Sequence, residues 1–305
     1  MLLKKSQRSR KAVCPLCGDN QTTFYARHNR VEQLLYHCGE CDFFFVYPHL
    51  PYPESGPPES KAGGERGFWA GPEAHRAYSR WREAENREIA AKILLGGRIT
   101  RLLEIGFGEG PLARRLLPIV AEYWGIEPQP AIYERTVATL GLERRRVFCL
   151  QAEALVENPA VNCLEDYFEV IILISVLEHL SRPLQVLQTF YKLLAPGGRL
   201  YISTPDSRFF RCLYWLRLIS GMESWSHFHL SFWNETTLER IFKEVGLILR
   251  SKERRGLITR EAAEYFQALT GKRFIKWSMA FLRNTRLDRL GHIGTLFYVL
   301  GKAAH

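Results

Sequence analysis

From residue 99 to residue 205 the chain alternates short, mostly apolar runs with amphipathic stretches of helical period, and few folds accept that pattern. The runs are ITRLLEIG (99–106), AEYWGIEP (121–128), RVFCLQA (146–152), FEVIILISVLEHL (168–180), whose second half reads as a loop, and RLYISTP (199–205). Between them lie PLARRLLPIV (111–120), with Pro at its first helical position, and PAIYERTVATLGL (130–142), which should end near Gly141. A third helix, PLQVLQTFYKLLAPGG (183–198), should stop at its glycines. Strands this apolar need cover on both faces, and the helices between them supply it as crossovers of a parallel sheet. A helix over 75–95 precedes the alternation, with Tyr78, Trp81, Ile89, Ile93 and Leu94 toward the interior. A helix over 235–247 with a Thr cap and strands at 247–255 and 295–303 follow it. The expected fold is α/β: a Rossmann-like, doubly wound, mainly parallel seven-stranded sheet.

The first strand runs straight into Gly106, Gly108 and Gly110, the strand–loop–helix setting that a nucleotide-binding loop requires. A dinucleotide fingerprint needs Gly or Ala at position 111, where this chain has Pro, so nicotinamide and flavin cofactors are disfavoured. Glu127 ends the second strand 21 residues after Gly106, where a carboxylate can accept both hydrogen bonds of a ribose diol.

Four of seven cysteines fall in two C-x2-C pairs, Cys14/Cys17 and Cys38/Cys41, twenty residues apart. Four thiolates satisfy tetrahedral zinc with no open position, so the expected site is structural and its unit is a zinc ribbon. His28 and His37 stand nearby as spare ligands. Cys149, Cys163 and Cys212 lack such spacing and read as core or surface residues. A Pro- and Gly-rich stretch at 51–72 reads as a linker, giving a zinc-ribbon module with a basic tail at 1–50 and a larger domain at 73–305.

LEIGFGEG, IEP, the acid of LQAEA, ISVLEHLSRP, LLAPGGRLYISTP and FHLSFWNETTLERIFKEVGL resemble, in order and spacing, the successive motifs of class I S-adenosylmethionine methyltransferases. The resemblance covers about 75–250, and six motifs carry it. It implies that Glu104 and the glycines hold the methionine end of the donor, Glu127 the ribose, and Ala152 with Glu153 the adenine. Ser175 and Val176 would flank the donor. CPLCG, HCGECDFFFVYP and the linker likewise look like the amino-terminal zinc module of bacterial natural-product and cell-surface-sugar methyltransferases. Asp42 departs from the glycine usual after the fourth cysteine, and the expectation is a chain without the further carboxy-terminal domain typical of sugar C-methyltransferases.

Methyl transfer is an in-line displacement, so the protein aligns acceptor and methyl group, and a hydroxyl acceptor needs a base. His179 is the first candidate, because imidazole titrates near working pH. His229, with His227 beside it, is the second, and the family's matching histidine suggests that it shapes the pocket. Asp206 is a weaker one. The aromatic segment 209–222 reads as a helix that either packs in the core or meets an apolar acceptor.

The expected reaction is methylation of a small or carrier-linked metabolite, a sugar, glycan or natural-product hydroxyl, with O-methylation favoured. Two rivals stand beside it. The net charge of +10 is concentrated from residue 250 onward, with twelve Lys/Arg against four Asp/Glu, and a helical basic insertion is expected at about 257–292. That charge suits an RNA methyltransferase, although no motif for stacking a flipped base follows the fourth strand. The second rival is a non-catalytic adaptor that binds only donor or partner. With no signal segment and no apolar run long enough to span a membrane, a cytoplasmic location is expected, and the oligomeric state is left open.

Overall fold

The computed structural model describes residues 12–27, 33–49, 72–158, 161, 163–208, 229–256, 261, 263–264, 267 and 294–303. The sheet that organises them is built from β4 (Ile99–Ile105), β5 (Val120–Ile126), β6 (Val147–Phe148), β7 (Phe168–Ile174), β8 (Leu194–Pro205), β10 (Ile248–Gly256) and β11 (Gly294–Gly301). Its order is β10-β11-β8-β7-β4-β5-β6. β4, β5, β6, β7 and β8 pair in parallel, whereas β11 enters antiparallel between β8 and β10. The seven strands and the doubly wound α/β class agree with the sequence.

Period-two alternation along the central strands supplies two cores. Val170 and Ile172 of β7 face α1 (Pro72–Leu95), α2 (Ala113–Leu116) and α3 (Pro130–Leu140), through Ile89, Ile93, Leu116 and Val137. Ile171 and Leu173 face the other way, onto α4 (Pro183–Leu193) and α5 (Glu235–Val245), through Val186, Phe190, Leu238 and Phe242.

Several boundaries differ from the sequence reading. The helix expected over 111–120 shrinks to α2, because Pro118 lacks the N–H that a further turn needs and the chain enters β5 two residues later. The strand expected over 146–152 is two residues long and gives way to a 3-10 helix at Ala152–Glu157. α4 ends without a glycine stop: Leu194 is already extended and pairs with Phe168, so helix passes straight into strand. The cap of α5 is Asn234, whose side chain accepts from the Thr237 N–H, and not a threonine. Leu94, placed toward the interior from sequence, is 43% exposed, since it falls one position beyond the stripe that ends at Ile93.

A second sheet, β1 (Thr23–Arg27), β2 (Leu34–Cys38), β3 (Phe43–Tyr47) and β9 (Ser231–Phe232), is antiparallel throughout. Its last strand comes from the large domain. The cysteine unit is therefore docked, with Cys38, Cys41, Phe43 and Phe45 in one core with Trp233 and Leu238. The linker 51–71, the aromatic segment 209–222, His28, His227 and most of the basic insertion lie outside the described residues. Positions 261, 263, 264 and 267 within that insertion are helical.

Candidate active site

The glycine loop leaves β4 beside the carboxyl end of β5. Gly106 (φ +71) donates to the Ile126 carbonyl at 2.8 Å, and a Cβ there would stand 2.8 Å from Val176 Cγ2. Gly110 (φ +72) is tighter, with Leu140 Cδ1 at 2.5 Å from the same added atom. Positive φ and this crowding require glycine at both positions, whereas a Cβ added at Gly108 (φ +55) would meet nothing within 4 Å, so the loop's open side is at Gly108.

Two acids flank the loop. Glu104 is 5% exposed and accepts the Tyr123 hydroxyl at 2.8 Å. Burial pushes its carboxyl up to about 8; the bond from Tyr123 opposes the shift and the neighbouring Glu127 charge adds to it. Glu127 accepts the Gly108 N–H at 2.9 Å on one oxygen and the Gln129 N–H at 3.0 Å on the other. Burial raises it as well, while those two backbone bonds favour the ionised form. Each oxygen has a further lone pair with which a ribose diol could engage. Ala152 and Glu153 begin the 3-10 helix beyond β6. Glu153 Oε1 accepts from Ser181 N at 2.7 Å and Ser181 Oγ at 3.0 Å, so this acid also ties the helix to the loop after β7.

The carboxyl end of β7 carries the remaining groups. Ser175 is a non-glycine residue at φ +56, a strained turn that redirects the chain into a 3-10 turn at Leu177–His179. Its hydroxyl meets Arg82 Nη1 at 3.3 Å, and Arg82 is ion-paired to Glu85 on the same helix α1. Glu178 is buried and accepts the Thr204 hydroxyl at 2.9 Å. Burial raises its carboxyl, and the charges of His179 and Arg82 work against that shift.

His179 and His229, distant in sequence, meet edge to face at 4.9 Å between ring centroids. With Glu178 they present one ligand atom each, all within 4.8 Å of one another. Asp206 is buried and paired with Arg208, at 3.0 Å. Arg82 and Glu178 escaped the sequence reading. An arginine inside a helix leaves no pattern, and the place of Glu178 in VLEHL, at the end of a strand, is the one signal the sequence carries for it.

The four cysteines converge, with their sulfurs within 4.8 Å of one another and Cys17 and Cys38 3.6 Å apart. Tetrahedral Zn–S bonds of about 2.3 Å place sulfurs about 3.8 Å apart, so the cluster has the dimensions of a zinc site. Burial pushes the Cys14 thiol up to about 12 and raises Cys41 too; a bound cation would take the place of those protons. His37 turns away from the sulfurs to Asp42, at 3.1 Å.

A parallel sheet with a glycine loop, a strand-end acid and polar groups all at the carboxyl ends of its strands defines a Rossmann-like nucleotide-cofactor class. Within that class a family model described as a methyltransferase domain matches residues 74–252, and the chain belongs to this family, the class I S-adenosylmethionine methyltransferases. A ubiquinone biosynthesis O-methyltransferase from Alkalilimnicola ehrlichii is 30% identical over 172 residues, covering 54% of this chain and 67% of that enzyme. One from Aeromonas salmonicida is 27% identical over 157 residues, 49% of this chain and 63% of its own length.

Among solved structures, geranyl diphosphate methyltransferase in complex with the methyl donor superposes with a TM-score of 0.55 at 14% identity, covering 75% of this chain and 90% of that one. The cyclase SpnF gives 0.52 at 19%, covering 73% and 81%. These two support the fold alone. No helix among the described residues is long and apolar enough to cross a membrane.

Proposed function

We propose that the protein is an S-adenosylmethionine-dependent O-methyltransferase whose acceptor is a hydroxyl of a small or carrier-linked metabolite. The observation that carries this reading is the meeting of His179 and His229 just beyond Ser175 and Val176, at the end of the strand beside the glycine loop. The glycine loop and Glu104 take the methionine end of the donor, and Glu127 takes the ribose. Ala152 and Glu153 take the adenine. The acceptor hydroxyl approaches the methyl group in line, and His179 removes its proton as the C–O bond forms and the C–S bond breaks. His229, edge-on to His179, shapes the acceptor pocket. The O-methyltransferase names of the relatives support oxygen as the acceptor atom, while the substrate itself is this chain's own.

The Glu178–His179–His229 trio supports a second reading, in which a divalent cation there acidifies the hydroxyl in place of a histidine base. One experiment separates the readings. Purified protein with its cysteine site loaded is given the donor and a panel of phenols, sugar nucleotides and polyol glycosides, with and without added magnesium or manganese. Release of S-adenosylhomocysteine independent of added cation supports the histidine base, and strict dependence on the cation supports the second reading. Tight donor binding with no turnover of any acceptor overturns both and leaves a donor-binding adaptor.

A further inference from the structure

We propose that the cysteine module forms a wall of the acceptor half of the active site, with Asp42 as a positioning residue that holds His229 against His179. The inference rests on the acceptor-side reading of these two histidines.

β9 is only two residues long, too short to hold its own place. It is clamped from both sides. On one side β3 pairs with it, Phe44 opposite Phe232 and Phe45 opposite Ser231, and Val46 N donates to the Leu230 carbonyl at 2.8 Å. On the other side Leu230 N donates to the Glu178 carbonyl at 2.8 Å and Ser231 Oγ to the Leu177 carbonyl at 3.3 Å. Glu178 and Leu177 belong to the 3-10 turn that carries His179. The segment that begins at His229 is therefore fixed between the module and its partner imidazole.

The second cysteine knuckle anchors the other end of this segment. Asn234 Nδ2 donates to the Asp42 carbonyl at 2.9 Å and to its carboxylate at 3.1 Å, while Asn234 Oδ1 caps α5 through Thr237 N at 2.9 Å. Thr237 Oγ1 donates to the Cys41 carbonyl at 3.0 Å, and Arg240 Nη1 to the Glu40 carbonyl at 2.5 Å. Phe43 packs on Trp233 at 4.7 Å. Asp42 holds φ +47, a left-handed turn that glycine adopts at no cost. The aspartate in its place adds a carboxylate that reaches both Asn234 and His37. A change at the knuckle is thus transmitted to the acceptor side, whereas the glycine loop and Glu127 make no contact with it in these bonds.

Asp42→Gly in the full chain keeps the turn and removes the carboxylate; Asp42→Asn keeps an acceptor for Asn234. Asn234→Asp keeps the cap but loses the donor, and it lies far in sequence from the cysteines. For each variant, bound zinc is counted, donor affinity is measured by calorimetry, and amide exchange is followed across residues 229–245. In both Asp42→Gly and Asn234→Asp we expect zinc content and donor affinity unchanged; exchange at 230–237 should quicken by roughly tenfold in Asp42→Gly, the loss of one charge-assisted bond, and by more in Asn234→Asp, which loses both Nδ2 bonds and sets two carboxylates face to face. The KM for a turned-over acceptor should rise more than kcat falls, and Asp42→Asn should restore both readouts.

Exchange at 230–237 equal to wild type in both variants overturns the proposal, as does donor affinity lost in step with acceptor affinity. If no acceptor is ever turned over, the functional reading fails, and the exchange measurement still decides whether the module sets this segment.

Discussion

Titrating S-adenosylmethionine into the protein across a pH series tests the donor side at Glu104. The carboxyl is 5% exposed and pushed by burial up to about 8, so at pH 7 about nine in ten chains carry it protonated. A cationic α-ammonium prefers the carboxylate, and binding must then expel the proton at a cost of about 1.4 kcal/mol at pH 7. Apparent affinity should accordingly rise about fifty-fold from pH 6 to pH 8 and level off above that. Calorimetry at about pH 6.5 in two buffers of different ionisation enthalpy should register nearly one proton released per donor bound. Glu104→Gln should abolish the slope and weaken binding at pH 8 by roughly tenfold, the loss of one charge-assisted contact.

The same raised value has a stability sign. The folded state holds the proton more tightly than the unfolded chain, so the contribution is fully present below the ordinary value of 4.5 and is lost as pH rises to about 8. The loss is at most about 5 kcal/mol and should be absent from the glutamine variant. A flat affinity profile in the wild type, or the same slope after Glu104→Gln, would refute the assignment of Glu104 to the donor.

Other outcomes follow from the same geometry. Gly110→Ala places a Cβ 2.5 Å from Leu140 Cδ1 at φ +72 and should cost about 2 kcal/mol in urea unfolding, with weaker donor binding; unchanged stability would mean the loop relaxes freely. Cys38→Ser should lower zinc content by metal analysis and lower the melting temperature, and full retention of one ion per chain would remove Cys38 from the site. His179→Ala should lower kcat by roughly 100-fold or more while leaving donor affinity in place, and a kcat within about twofold of wild type would exclude it as the base.

The sheet was legible in the sequence because its signal is local: each central strand is a short apolar run, and Gly106–Gly110 follow one without a break. Glu127 was legible through spacing from those glycines, and the cysteines through their paired repeats. Helix ends were less so, since α2 is cut short by Pro118 and α4 ends on the pairing of Leu194 with Phe168, a contact 26 residues away. The acceptor side was legible only as separate names. His179 and His229 are fifty residues apart, and their contact depends on β9, whose existence depends on β3 nearly 190 residues earlier. No local pattern encodes a strand that is two residues long. Asp42 looked like a departure from a family pattern, and its tie to Asn234 explains the residue only once both are seen together.

The seam between β3 and β9 also bears on how such a chain can be edited. Phe43 and Phe45 of the module share one core with Trp233 and Leu238, so deleting residues 1–50 would bare an aromatic seat and leave the Asn234 amide N–H groups without Asp42. The module is therefore no cassette to be trimmed off or traded between relatives. Any exchange that preserves the fold has to carry Phe43–Tyr47 together with Ser231–Thr237 as one unit.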